Sequence, residues 1–333
     1  MTFLKSQVES SAEFPKILHE EDESVTGLRL EIPGPFDIDA TLECGQTFGW
    51  ERVTLEDGTA WFKGVIGCTG VMVNFDRSSS NLTVLYDTQD FCDPSDQKAN
   101  ARALAEKVFH YFALDDDLEL IYEFLLHGSV SSGADVDPVM DAALSYGYGL
   151  RILRQDPWEC LISYISSAMN NIPAICKIIG YFRKTLGKPV GFGQYTFPPP
   201  EAFMAAGHSC IRNSRCGFRS TYILDAADKV VNGEVDLDLI ENLSLSDARR
   251  ELQKIAGVGP KVADCVLLFA YHRLDAFPVD RWVLRAMSHF YFDGNAITVE
   301  QAKREGSRRF GPFSGYAQEY LFHYARNYCH GQF

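Results

Sequence analysis

The chain has 333 residues, 46% of them hydrophobic and 23% charged, enough for two domains or one large domain with a substantial core. No stretch reaches the length of a membrane span and the first residues lack the basic-then-apolar pattern of a secretory signal, so we expect an intracellular protein without a membrane partner. The compartment would be the cytoplasm or nucleoid of a bacterium, or a eukaryotic nucleus. Nine scattered cysteines, an odd number, read as reduced thiols, and a formal net charge of -14 excludes broad nonspecific coating of a polyanion.

Residues 1–26 are polar and acidic with no clear period and are expected to form a flexible extension. From Leu28 to about Asp87 come short alternating runs, LRLEI, FGWERV, TAWFKGVIG, GVMVNFD and NLTVLYD, separated by Gly, Asp, Asn and Ser. These predict an antiparallel sheet. Helical periodicity begins near Lys98, with Ala103, Val108 and Phe112 apolar, and dominates to the C-terminus. The stretch from Gly187 to Pro200 is rich in proline and glycine and predicts an ordered loop or linker. The fold class is α+β: a sheet-bearing N-terminal domain with connecting helices over residues 27–145, then a mainly helical domain over 146–333.

The most specific local pattern is LQKIAGVGPKVADCVLLFAYHRLDAFPVD, from Leu252 to Asp280. Leu252, Ile255 and Ala256 are apolar at helical spacing, Gly257 can end that helix at positive φ, and Pro260 suits the first position of the next. The pattern predicts a helix-hairpin-helix over residues 245–272. Such a turn leaves N–H groups at the positive end of a helix dipole, where a phosphate is the natural ligand. Short glycine-containing turns between helices are also common without any ligand, so the hairpin alone does not decide. Lys261 stands in the first turn of the second helix, with Cys265 and Phe269 four and eight residues on along the same face. Asp280 reads as the N-cap of a third helix, and a carboxylate held by helix N–H groups stays ionised, as needed to stabilise positive charge on a sugar ring.

Charge is distributed unevenly. Residues 1–143 carry 9 basic against 27 acidic residues, whereas 144–333 carry 22 against 18. A focused contact with few phosphates fits the basic half.

The hairpin, Lys261 and the PVD ending in Asp280 resemble the HhH-GPD superfamily of DNA glycosylases, and VADC after the lysine resembles its 8-oxoguanine DNA glycosylase branch. The resemblance extends to LRQDPWECLISYISSAMNNI (Leu153 to Ile172), to Gly217-Phe218-Arg219, to Gly311-Pro312-Phe313 through Gln318 and Phe322, and to Cys44-Gly45-Gln46-Thr47-Phe48 with Trp50. Together these cover most of residues 28–328 in the family's order.

The resemblance implies a bifunctional DNA N-glycosylase and AP lyase, acting as a monomer on double-stranded DNA that contains oxidised guanine. Lys261 would attack C1′ and form a Schiff base, Asp280 would stabilise the developing charge, and β-elimination would follow. The base would be bound by Gly45 (its carbonyl accepting the N7–H), Gln318 (the Watson–Crick edge), Cys265 and Phe322 (either side of the ring), with Phe269 and Pro278. DNA contacts fall to Asn170, Asn171, Phe218 as wedge, Arg219, Gly257, Gly259, Val262 and Trp282. Taken alone, Phe218 and Phe322 could equally be core aromatics and Gly45 a turn residue.

No cofactor or side-chain metal site is expected, although a structural cation could sit on hairpin carbonyls near Gln253, Ile255 and Val258. Only Cys329 follows Asp280, so the four-cysteine cluster of some relatives is absent. Ala174 stands where many relatives have an arginine reading the opposite base, and Met169 where an asparagine fills the gap, so a weak preference for cytosine opposite the lesion is expected. Two alternatives stay open: a monofunctional glycosylase, which would keep Asp280 without needing Lys261, and a noncatalytic helix-hairpin-helix DNA-binding module.

Overall fold

The computed structural model describes residues 25–127 and 136–328; the expected extension up to residue 24, and Cys329, lie outside these residues. Five strands, β1 (Val25–Glu31), β2 (Glu51–Thr54), β3 (Ala60–Ile66), β4 (Thr69–Asp76) and β5 (Asn81–Asp87), form one antiparallel sheet in the order β1-β5-β4-β3-β2. The predicted sheet is present, with two changes at its edges. β1 begins two residues inside the expected extension, where Val25 and Thr26 pair with Asp87 and Tyr86; β-branched residues extend the ladder there. The run FGWERV enters its strand only at Glu51, because Phe48 packs into the helical core and Trp50 lies against Gly64. A Cβ at Gly64 would come within 2.6 Å of the indole.

Two helices, α1 (Ile38–Glu43) and α2 (Gln97–Tyr111), cover one face of the sheet, burying Leu28, Val71, Val84, Leu104 and Val108 together. Trp61, Met72 and Leu85 point to the other face, where Phe192 meets them. Phe192 belongs to the segment predicted as a linker, which folds as a hairpin of β6 (Pro189–Val190) and β7 (Gln194–Tyr195). It works as a strap. A Cβ on Gly70 would lie 2.4 Å from the Gly191 carbonyl, and Asp90 accepts both the Gly70 N–H at 2.8 Å and the Gly191 N–H at 3.0 Å.

The remaining helices are α3 (Leu118–His127), α4 (Pro138–Tyr146), α5 (Pro157–Ser167), α6 (Ile172–Leu186), α7 (Pro200–Asn213), α8 (Arg219–Val231), α9 (Leu245–Leu252), α10 (Pro260–Phe269), α11 (Arg281–Tyr291), α12 (Val299–Phe310) and α13 (Ser314–Asn327). α3 and α4 bury Leu118, Ile121, Leu125, Met140 and Leu144 in the helical core. Trp158 and Cys160 through Ser166 of α5 are buried, as expected for a helix packed on nearly every side.

Arg151 is fully buried between the two cores. Its guanidinium donates to the carbonyls of Pro33 (3.3 Å), Pro35 (3.2 Å), Ala113 (2.7 Å) and Asp116 (3.1 Å), all from the N-terminal part of the chain. Arg151→Met would leave those four acceptors without this donor, and we expect a loss of about 3 kcal/mol or more, measured by urea unfolding. A loss under about 1 kcal/mol would show that water replaces the guanidinium at no net cost.

Candidate active site and DNA-contacting loops

α10 opens at Gly259, an N-cap with no side chain to accept a hydrogen bond, followed by Pro260, which has no N–H. Lys261 and Val262 therefore keep first-turn N–H groups for an anion. α9 ends at Leu252, so Ile255 and Ala256 lie in the turn and not in the helix as predicted. Gly257 has φ +82°, and a Cβ there would stand 2.4 Å from Tyr222 Cδ2, so glycine alone lets the hairpin close on α8. α8 holds it at two further points. Asp225 accepts the Ala256 N–H at 2.7 Å, and Lys229 Nζ donates to the Lys254 carbonyl at 2.5 Å. One hairpin N–H, that of Ala256, is thereby used inside the protein and is not offered to phosphate. The carbonyl of Ile255 accepts the Val258 N–H at 3.1 Å and retains a second lone pair that a cation could use.

Lys261 Nζ lies 4.9 Å from the centre of the Tyr164 ring, and its charge acts on the Cys265 thiol. Burial pushes that thiol up to about 12, despite the opposing effect of the lysine, so Cys265 is a neutral wall and not a competing nucleophile. Asp280 caps α11, its Oδ1 accepting the Val283 N–H at 2.8 Å. Its charge reaches both Cys265 and Glu319. Pro278 is buried just before it.

Gly45 has φ +109°, a conformation that favours glycine, and a Cβ would stand 2.7 Å from Ile172 Cδ1. The turn around it is tied down by its neighbours. Gln46 Nε2 donates to the Thr41 and Arg151 carbonyls at 2.9 and 2.8 Å, Gln46 Oε1 accepts the Leu153 N–H at 2.9 Å, and the Gln46 carbonyl accepts from Tyr164 at 3.1 Å. On α13, Gln318 is buried with Oε1 lacking a hydrogen-bond partner among the described residues, and Phe322 is half-buried. The Arg326 guanidinium lies 5.5 Å from the Phe322 ring and donates to the Cys44 carbonyl at 2.8 Å, joining α13 to the glycine turn.

Two expected roles are revised by the packing. Phe269 is buried at the far end of α10 and stacks on Tyr164 (5.5 Å between centres, 10° between planes), so it supports the ring beside Lys261 and meets the pocket indirectly. Arg219, expected to contact DNA, is only 8% exposed. It donates to the carbonyls of Ala168, Met169 (3.1 Å) and Cys216 (3.0 Å), bracing one loop against another.

The side chains that those loops display are apolar. Phe218 is 54% exposed, edge-on to Tyr222, and Met169 is 87% exposed at φ +52°. Asn171 caps α6 through the Ala174 N–H at 3.0 Å, and Asn170 fixes the preceding turn by donating to the Ser166 carbonyl at 3.1 Å. Trp282 is half-buried at the start of α11, with Arg285 5.8 Å from its ring.

Residues 29–161 match the family model described as 8-oxoguanine DNA glycosylase, N-terminal domain. A probable N-glycosylase/DNA lyase of Methanothermobacter thermautotrophicus is 31% identical over 327 residues, covering 89% of this chain and 96% of the relative. The chain belongs to the 8-oxoguanine DNA glycosylase branch of the helix-hairpin-helix superfamily. An 8-oxoguanine glycosylase/lyase of Clostridium acetobutylicum, solved with double-stranded DNA containing cytosine opposite 8-oxoguanine, has a TM-score of 0.77 at 30% identity, covering 98% of this chain and 99% of that one. A 3-methyladenine DNA glycosylase from Archaeoglobus fulgidus shares the fold at a TM-score of 0.69 and 22% identity, covering 90% of this chain and 98% of that one. The fold is thus common to glycosylases of differently named activity, and side chains must distinguish them.

Within this 8-oxoguanine glycosylase chain, sequence reading passed over Tyr164, Glu319 and Arg326. Glu319 had a local signal, an acid inside the otherwise buried run of α13; Tyr164 and Arg326 had none, since aromatics and arginines are ordinary on such helices. For the hairpin we expect Gly257→Ala to cost more than about 1 kcal/mol and to weaken duplex binding. Thermal unfolding and a salt titration of binding check this; unchanged affinity would detach the hairpin from the DNA contact.

Proposed function

We propose that this chain excises 8-oxoguanine from duplex DNA and cuts the resulting abasic strand by β-elimination, with Lys261 as the nucleophile. The observation that carries the reading is the placement of the Lys261 amine. It stands at the head of a helix whose N-cap has no side chain, against Tyr164 and Cys265, with the Asp280 carboxylate fixed at the start of the next helix. A monofunctional glycosylase of the same fold has no need of an amine there.

Inside the duplex C1′ is out of reach, so the damaged nucleotide is flipped into the pocket while Phe218 fills part of the gap. The hairpin and the first turn of α10, with Gly257, Gly259 and Val262, take phosphates. Lys261 attacks C1′, the glycosidic electron pair leaves with the base, and ring opening yields the Schiff base, whose acidified C2′–H permits elimination. Asp280 stabilises positive charge on the sugar as the bond breaks. The Gly45 carbonyl accepts the N7–H that 8-oxoguanine has and guanine lacks; its loop is held by Gln46, which makes a single backbone acceptor an adequate discriminator. Gln318 reads the Watson–Crick edge and Cys265 and Phe322 flank the ring. Double-stranded DNA carrying oxidised guanine is the partner, engaged by a monomer inside the cell. Among the described residues no helix is long and apolar enough to cross a membrane.

Selectivity for the opposite base is weak in this reading. Ala174 offers no hydrogen-bonding side chain, Met169 is apolar, and Arg219 spends its donors on loop carbonyls. Excision of 8-oxoguanine opposite C, A, G and T should therefore differ by less than about tenfold, or about 1.4 kcal/mol; a strong bias to C would refute this part.

Lys261→Gln should abolish borohydride trapping on lesion DNA while binding persists. Full lyase activity in that variant would exclude Lys261, and the absence of any trapped adduct with the unaltered protein would favour the monofunctional alternative.

A further inference from the structure

α13 carries an ionisable side chain that this reaction scheme does not use. Glu319 is 2% exposed, and the Cys44 thiol, which donates to the Thr41 carbonyl at 3.4 Å, interacts with its carboxyl group. Its Oε1 is nevertheless shielded from solvent without a hydrogen-bond partner among the described residues. Packing does not call for an acid here, since an apolar side chain would bury the same surface without leaving an acceptor unmet.

Polar and titratable groups on several elements interact with it. Cys44 comes from the glycine turn, Tyr164 from α5, Lys261 from α10, Asp280 from the head of α11, and Arg326 from the same helix. Four of these residues surround the expected reaction centre on independent grounds: Lys261 and Asp280 carry the chemistry, Tyr164 lies against the lysine, and Cys44 precedes the base-reading Gly45.

We propose that Glu319 is the proton acceptor that frees the Lys261 amine for attack and then passes the proton to the departing base. The inference rests on Lys261 being the nucleophile. The carboxylate takes one proton from the lysine ammonium, so two opposite charges become a neutral acid and a neutral amine. The amine lone pair forms the bond to C1′ and the glycosidic electron pair leaves on the base. The remaining surplus proton on nitrogen moves to O4′ as the ring opens, giving the iminium, while the base anion takes the proton from Glu319. The carboxylate is regenerated. The charge of the cluster with Asp280 and Arg326 is the same before and after the first transfer, so no charge need enter a pocket closed to water.

The charge state of Glu319 makes this testable by pH. Burial raises its carboxyl to about 7; Cys44, Arg326 and Lys261 pull it down, and Asp280 pushes it up. The accepting carboxylate is therefore present above about 7 and lost below it. Single-turnover excision and borohydride trapping by the full chain, on a duplex with one 8-oxoguanine, should fall as pH drops through that range.

Glu319→Gln should be slower by about 100-fold above pH 7 and lose this acid limb, with duplex binding and thermal unfolding unchanged. Glu319→Asp should recover part of the rate and the limb. Cys44→Ala, which removes the thiol that pulls the Glu319 carboxyl down, should move the limb to higher pH, and decides the matter if Glu319→Gln fails to fold. Glu319→Gln with the original rate, or slower with the limb intact, would overturn the proposal, as would a Cys44→Ala limb that does not move. Absence of an adduct with the unaltered protein would instead overturn the assignment of Lys261 on which it rests.

Discussion

The side chain of Gln46 ties the glycine turn of the N-terminal domain to the helical body. Both ends of its amide and its own carbonyl are engaged, with partners on α1, in the segment 151–155 and on α5. One residue of the N-terminal segment and a lysine of α10 are thereby set in a common frame. The buried guanidinium of Arg151, bonded to four carbonyls of that domain, keeps the two cores from shifting against each other. The proposed recognition by one backbone acceptor depends on such a joint, because an error on the order of 1 Å at the reacting atoms costs about 100-fold in rate. Neither joint is a large apolar interface; each is a set of directed bonds whose loss leaves buried acceptors unpaired.

The same economy appears at the helix termini. α11 is capped by Asp280, which spends one oxygen on a helix N–H and keeps its charge near the pocket. α10 has no side-chain cap, so its first turn remains open to an anion. The hairpin before it is clamped to α8 by Gly257 against Tyr222 and by Asp225, and α8 begins at the exposed Phe218 and the bracing Arg219. In the proposed reading the phosphate grip and the wedge are thus joined, and a focused contact with DNA needs few basic residues. This reconciles a net charge of -14 with a nucleic-acid substrate.

Much of the architecture was legible from the order of residues. Alternation in the first part predicts the sheet, and the five strands differ from the predicted runs mainly at their ends. Gly257 and Pro260 mark the hairpin through conformations that few other residues adopt. Lys261 and Cys265 meet because residues four apart share a helical face. Phe269, eight residues along, shares the face but lies at the far end of the helix, where it stacks on Tyr164. Gly187 to Pro200 has the composition of a linker, and only the close approach of Gly191 to Gly70 makes it a strap.

By itself the sequence determined what depends on neighbours within a few residues: strand alternation, helix caps, the glycine hairpin, and the pairing of an amine with a thiol one turn away. Backbone hydrogen bonds and side-chain period are local, and a short stretch of chain contains all the groups involved. Tertiary structure alone decided what depends on burial and on partners far along the chain. It turned Arg219 from an open cation into a brace, set Tyr164 under Lys261, and enclosed Glu319 among Cys44, Asp280 and Arg326. The chemistry of a carboxyl or a guanidinium is set by water and charge around it, and those are known only once distant segments have packed.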